Sequence, residues 1–122
     1  MFSKSGSSSA NAYLRFLQLA KTIQKLPDGS LLDANEKALL EEVVLNWFEK
    51  KPMTVREAIN LSALGSPATL HKRITRLRQR DFLVAFNQQD DKRAKFLIPT
   101  QKTLSMFGDF GKKMNSALTS PV

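Results

Sequence analysis

The sequence predicts an α+β fold that is mainly helical and contains one two-stranded hairpin. Apolar residues recur at helical spacing over most of the 122-residue chain. Four of the helical segments open with residues that favour a helix N-terminus. Two short segments rich in aromatic and branched residues, 82–86 and 94–98, flank a polar loop, which is typical of a β-hairpin.

The first helix is predicted over residues 10–26, before the turn sequence PDGS at 27–30. Residues 1–9 are polar, and we expect them to be disordered. One apolar row along this helix follows a spacing of four and three residues, which places its members on one face. The row consists of Ala12, Phe16, Leu19, Ile23 and Leu26.

Three helices follow at close intervals. The segments 33–50 and 54–61 each open with a capping box, an Asp or Thr followed three residues later by Glu. The segment 66–80 opens with Ser66, a favoured N-cap, and with Pro67 at the first helical position. In the first of these helices we expect six residues to face inward, with the Trp in the core: Leu39, Leu40, Val43, Val44, Trp47 and Phe48.

Thr100 can cap a last helix over residues 100–118. The order of four helices, a hairpin and a helix predicts a winged helix-turn-helix core over 32–99, within a single domain spanning 1–122. One small domain cannot easily bury the apolar rows of both outer helices. We therefore predict that 10–26 and 100–118 are dimerisation helices of a homodimer. The expected interface residues are Phe16, Leu19, Ile23, Leu104, Phe107, Met114 and Leu118.

Composition narrows the classes of function. The net charge is +8 and the isoelectric point is near 10.1, which favours a polyanionic partner such as nucleic acid or an anionic membrane surface. There is no Cys, which excludes disulfides, thiolate catalysis and Cys-based zinc sites. The single His also argues against a His-rich metal site or a nucleophilic triad. Since no residue cluster suggests a catalytic or cofactor site, we expect no enzyme activity, metal or other cofactor. No apolar run reaches membrane-spanning or signal-peptide length, so we expect a soluble, cytoplasmic protein.

The segment 66–80 is cationic around one narrow apolar stripe. Leu70, Ile74 and Leu77 form the stripe, and no acid lies between Gly65 and Arg80. Intrahelical salt pairing therefore cannot account for the charge, although a plain solvated or protein-binding face is the alternative. Small residues at the N-terminal end would allow close approach to a major groove. The residues expected to contact DNA here are Ser66, Ala68, Thr69, Lys72, Arg73, Thr75, Arg76 and Gln79.

The segments PMTVREAI, SPATLHKRITRLRQRDFLV and DDKRAKFLIPT resemble the MarR-type family of bacterial winged-helix transcription regulators. The resemblance covers about residues 32–104 and includes the wing pattern at Asp91, Lys92 and Arg93. It implies that the helix 66–80 enters the major groove and that the wing, with Lys92 and Arg93, contacts DNA, the Arg reaching the neighbouring minor groove. Family members commonly have Gly where this chain has Asp81.

The sequence therefore predicts sequence-specific binding of double-stranded DNA by a homodimeric transcriptional regulator. Two alternatives remain open at this point. One is an architectural or RNA-binding winged-helix protein, and the other is a protein-interaction module, both without promoter specificity. A small-molecule effector is likewise left open.

Overall fold

The computed structural model describes residues 4–24, 32–88 and 91–119. Its order of elements is the predicted one, four helices followed by a hairpin and a last helix. The α+β winged-helix architecture is therefore confirmed. The elements are α1 Lys4–Gln24, α2 Ala34–Phe48, α3 Val55–Ile59, α4 Pro67–Gln79, β1 Leu83–Gln88, β2 Asp91–Pro99 and α5 Gln101–Thr119.

The chain divides into two compact units. The winged-helix unit comprises residues 32–105, and the arm unit comprises residues 1–31 and 106–122. The helix α1 begins at Lys4, six residues before the predicted start at residue 10. The described part of the segment 1–9 is therefore helical, whereas we expected disorder there. Ser, Lys and Ala are all tolerated in helices, and the apolar periodicity that located this helix gives no signal in a polar stretch.

The core of the winged-helix unit is built on α2 and α4. The stripe of α4 is fully covered, with Leu70, Ile74 and Leu77 buried as predicted. Burial of one such side chain contributes about 1.5–3 kcal/mol relative to exposure, so the stripe fixes which face of α4 points outward. The other large buried side chains include Leu39, Leu40, Val43, Phe82, Leu83 and Leu97.

The prediction for the end of α2 is wrong at one residue. Phe48 is 73% exposed, although we expected it to face inward. At 100° per residue it lies about 80° from Leu40, on the side of the stripe away from Val43. Trp47 is half-buried, so the apolar stripe ends one residue before the helix does.

The wing is an antiparallel hairpin whose base is tied to the start of α3. Leu83 pairs with Pro99 and Asn87 with Lys95, and the register becomes irregular between Asn87 and Gln88. The backbone N–H of Leu97 donates to the carbonyl of Met53 at 2.8 Å. This bond lies next to an isolated bridge between Thr54 and Phe96, so the base of the wing and the N-terminus of α3 are held together.

Two threonines join the start of α5 to the turn after α4. The hydroxyl of Thr100 accepts from the N–H of Thr103 at 3.2 Å, which caps the helix as predicted, and donates to the carbonyl of Asp81 at 2.6 Å. The buried hydroxyl of Thr103 donates to the carbonyl of Phe82 at 2.6 Å. Asp81 has a left-handed backbone with φ of 65°, a conformation that favours Gly.

Candidate nucleic-acid interface

The N-terminus of α4 is a capped end that faces solvent. The hydroxyl of Ser66 accepts from the N–H of Thr69 at 3.3 Å and donates to the hydroxyl of Thr69 at 2.9 Å. Pro67 occupies the first turn. Both hydroxyls predicted to contact DNA are thus engaged in the cap, while the remaining free N–H groups of the first turn and the helix dipole favour an anion at this end.

The face of α4 opposite the stripe is open. Ala68, Lys72 and Gln79 are exposed, and Thr75 is half-buried. The hydroxyl of Thr75 donates to the carbonyl of His71 at 2.9 Å, while the side chain of Lys72 has no hydrogen bond or ion pair with any described residue. The structure therefore brings four of the predicted contact residues onto one outward surface, which we call the reading face.

Arg73 contacts the turn that precedes α4, a role that the sequence did not indicate. Its Nη1 atom donates to the carbonyl of Leu64 at 3.1 Å, in a half-buried position. The same atom lies 3.4 Å from where a Cβ would stand on Gly65. Arg73 therefore supports the turn that precedes α4, and its expected DNA contact stays a prediction.

A buried carboxylate lies behind one flank of α4. The side chain of Glu36 is 4% exposed, and its Oε2 atom lies 3.4 Å from Nη1 of Arg80 and 3.9 Å from Nε of Arg76. Its other oxygen accepts from the N–H of Asp33 at 3.4 Å, which completes the predicted capping box. Arg76 keeps a 61% exposed side chain, so Glu36 can orient this predicted contact residue without removing it from solvent.

The sequence identified Glu36 as a capping residue but missed its ion pairs, because its partners lie 40 or more positions away. In the same capping box, the backbone N–H of Glu36 donates to the Asp33 carboxylate at 2.7 Å. This hydrogen bond lowers the pKa of Asp33 from its ordinary value, since it favours the charged form.

The other flank of α4 borders an open groove of about 630 Å³ that also faces α3 and β2. Its basic lining residues are Arg56 from α3, His71 and Arg78 from α4, and Lys95 from β2. From the sequence, Arg78 is better placed for a phosphate or an acid than for a base, and none of these four residues is among the predicted DNA contacts. Helical spacing places His71 and Arg78 on one flank, but the approach of Arg56 and Lys95 to that flank depends on the fold.

The wing contributes less to the described site. The backbones of Lys92 and Arg93 lie in β2, whereas their side chains, and residues 89 and 90 at the tip, lie outside what the structure describes. The roles expected for Lys92 and Arg93 therefore stay predictions.

The arm unit exposes an apolar surface. None of the described side chains at 9–21 and 106–116 is buried. Of the predicted interface residues, Phe16 is exposed, and Leu19, Phe107 and Met114 are half-buried. Leu104 is half-buried in the winged-helix unit, Leu26 lies outside the described residues, and the side chains of Ile23 and Leu118 are not described. Three exposed apolar residues of α1 beside Phe16 form the same surface: Tyr13, Leu14 and Leu17.

Comparisons of sequence find no protein-family model that matches this chain, and no curated protein that matches it. Comparisons of structure do find relatives. The chain superposes on transcriptional regulator Tm0710 from Thermotoga maritima with a TM-score of 0.63 and 16% identity, covering 82% of this chain and 67% of that one. AbsC, a MarR family transcriptional regulator from Streptomyces coelicolor, superposes with a TM-score of 0.55 and 16% identity, covering 97% of this chain and 78% of that one.

A third similar structure is MepR, a transcription regulator of the Staphylococcus aureus multidrug efflux pump MepA. Its TM-score is 0.56 at 11% identity, covering 94% of this chain and 78% of that one. The chain has the MarR-type fold. At these identities the likeness concerns the fold, and it confirms at that level the resemblance seen in the sequence.

None of the described helices is both long and apolar enough to cross a membrane. Among the described residues, no three His, Cys, Asp or Glu side chains come together as a metal-binding group.

Proposed function

We propose that this protein binds double-stranded DNA sequence-specifically, as a homodimeric transcriptional regulator. The observation that carries the proposal is the outer surface of α4, where Lys72 and Arg76 are exposed and no acid is present, on a helix anchored by the buried stripe of Leu70, Ile74 and Leu77. The MarR-type fold supports it, because the similar structures are transcriptional regulators.

A B-form major groove is about 12 Å wide and admits an α-helix. With α4 in this groove, Ala68 near its N-terminus permits a close approach of the helix. Lys72, Thr75 and Gln79 then carry donors that can reach base edges or phosphates. Arg76, oriented by Glu36, extends the surface toward one strand, and we assign Arg93 of the wing to the adjacent minor groove.

The homodimer in this proposal forms through the arm unit. Tyr13, Leu14, Phe16 and Leu17 stand exposed along α1, and apolar surface removed from water contributes about 25 cal/mol per Å². A second copy carries the same surface and can bury it around a twofold axis. Two reading faces about 34–36 Å apart would then meet successive major grooves on one side of a duplex.

The decisive experiment for DNA binding is competition between a duplex selected from random sequence and unrelated duplex. We expect affinity for the selected site at least about 10³-fold higher. Equal binding to all duplexes would instead indicate an architectural protein, stronger binding to RNA would indicate an RNA-binding protein, and no binding at moderate salt would leave a protein-interaction module.

Substitutions on the reading face and at Arg76 on its flank test whether α4 is the recognition helix. Lys72→Ala and Arg76→Ala should each weaken binding and reduce the slope of log affinity against log salt by about one unit. Lys112→Ala and Lys113→Ala remove the same charge from exposed positions of α5 and serve as matched controls. If the α4 variants bind like the parent, α4 is not the recognition helix.

The dimer is tested by sedimentation at micromolar concentration. We expect a species of twice 13.7 kDa that dissociates in Phe16→Glu. Leu45→Glu is the matched control, because Leu45 on α2 is 50% exposed and Phe16 is 43% exposed. A parent protein that sediments as a 13.7 kDa monomer would refute the dimer.

A further inference from the structure

The groove on the wing side of α4 is lined by basic side chains. It brings together Arg56, His71, Arg78 and Lys95 from three elements, and none of the described residues that line it carries a carboxylate. None of these four side chains forms a hydrogen bond or ion pair with a described residue. The neighbouring acid, Glu57, accepts the N–H of Thr54 at 2.8 Å as part of its capping box.

The walls of the groove are fixed relative to one another. The carbonyl of Met53 accepts the N–H of Leu97 at 2.8 Å, which joins the entrance of α3 to β2. The buried Leu77 packs α4 into the core one residue before Arg78. Backbone positions of the cationic groups are therefore set before any ligand arrives, so an anion entering the groove meets donors that need only side-chain ordering.

The position of the groove relative to the reading face indicates which anion it fits. On a wheel of 100° per residue, His71 and Arg78 lie about 100° and 80° from Leu70, whereas Lys72 lies about 200° away. The groove is thus about a quarter turn from the reading face. A sugar–phosphate strand borders the major groove on either side of an inserted helix, so this flank would face a strand rather than base edges.

We propose that this groove binds a phosphate group of the DNA backbone, held by Arg78 and Lys95 with Arg56 and His71 beside them. The inference rests on the proposed function and goes beyond it by assigning a phosphate site to residues outside the reading face. A phosphate presents several acceptor oxygens, which suits convergent donors from a guanidinium and an ammonium group. Free inorganic phosphate has the same chemistry, and the experiment separates the two sources.

The test uses Arg78→Gln, Lys95→Gln and the double variant, with Lys113→Gln as the control that removes one charge from an exposed position of α5. Affinity for one duplex is measured over a range of salt concentrations. Since the salt slope counts neutralised phosphates at about 0.9 per phosphate, we expect the double variant to lose about 0.9 of slope. Each single variant should lose no more than this, and Lys113→Gln should keep the parent slope.

Four outcomes would overturn the inference. A double variant with the parent slope would remove the groove from the DNA interface while the proposed function stands. A loss of about 1.8 would mean two separate phosphate contacts rather than one shared site. Saturable binding of inorganic phosphate that the double variant abolishes, with the DNA slope unchanged, would assign the groove to the free anion. If the parent binds no duplex at any salt, the proposed function fails and the inference with it.

Discussion

Glu36 and Glu57 occupy the same position in two capping boxes, yet they differ in their surroundings. Both accept the N–H of their N-cap residue, but Glu36 is buried and paired with Arg80 and Arg76, whereas Glu57 is exposed. Glu36→Gln keeps an oxygen that can accept the N–H and removes the charge. The variant therefore isolates what the buried carboxylate contributes beyond capping.

The magnitude follows from the exposure of the two partners. The side chain of Arg80 is 27% exposed, and its Nη1 atom lies 3.4 Å from Oε2 of Glu36. In the variant it loses a hydrogen bond between charged groups, which is worth about 1.5–3 kcal/mol. The side chain of Arg76 is 61% exposed, and its Nε atom lies 3.9 Å from Oε2 of Glu36. An exposed ion pair contributes only about 0–1 kcal/mol to stability. Because solvent can rehydrate part of Arg80, we expect Glu36→Gln to lower the free energy of unfolding by about 1–3 kcal/mol. Glu57→Gln should lower it by less than about 0.5 kcal/mol, as for most surface substitutions.

Urea denaturation followed by the fluorescence of Trp47, the one Trp in the chain, measures both variants. All proteins are compared at one concentration, since dimerisation would make stability depend on it. An unchanged m-value would show that the midpoint shift reports stability. If Glu36→Gln and Glu57→Gln destabilise equally, the ion pairs behind α4 contribute nothing measurable and the reasoning from burial is wrong.

Three further predictions concern other parts of the chain. Asp33→Asn keeps an N-cap residue but removes its charge. Because the pKa of Asp33 is lowered on folding, the stability that its charge contributes is complete above about pH 4 and is lost as the pH falls through that lowered pKa. The unfolding free energies of parent and variant, measured against pH, should therefore converge in acid. Gly65→Ala should cost about 1–3 kcal/mol in a denaturation assay, because Gly65 has φ of 153°, whereas Gly108→Ala, with nothing within 4 Å, should not destabilise. Arg93→Ala should lower affinity most for sites with A·T-rich flanks, where a narrow minor groove concentrates negative potential; an equal loss for every flank would make it a plain phosphate contact.

The order of the elements and the starts of α2, α3 and α4 could be predicted from the sequence alone. Capping at Asp33, Thr54 and Ser66 is a local interaction over three residues, so the pattern is sufficient to predict it. The buried stripe of α4 followed from its period, because one helix has one geometry whatever it packs against. The same reasoning placed Lys72 and Gln79 outward.

How side chains from different elements meet could not be predicted from the sequence. Periodicity gives the direction of a side chain about its own helix axis, but not what another helix or strand places in front of it. Glu36 therefore could not be paired with Arg80 from the sequence, and Arg73 could not be distinguished from the residues of the reading face. The grouping of Arg56 and Lys95 with the flank of α4 likewise depends on the backbone contacts that join β2 to the start of α3, which are long-range and leave no local signal.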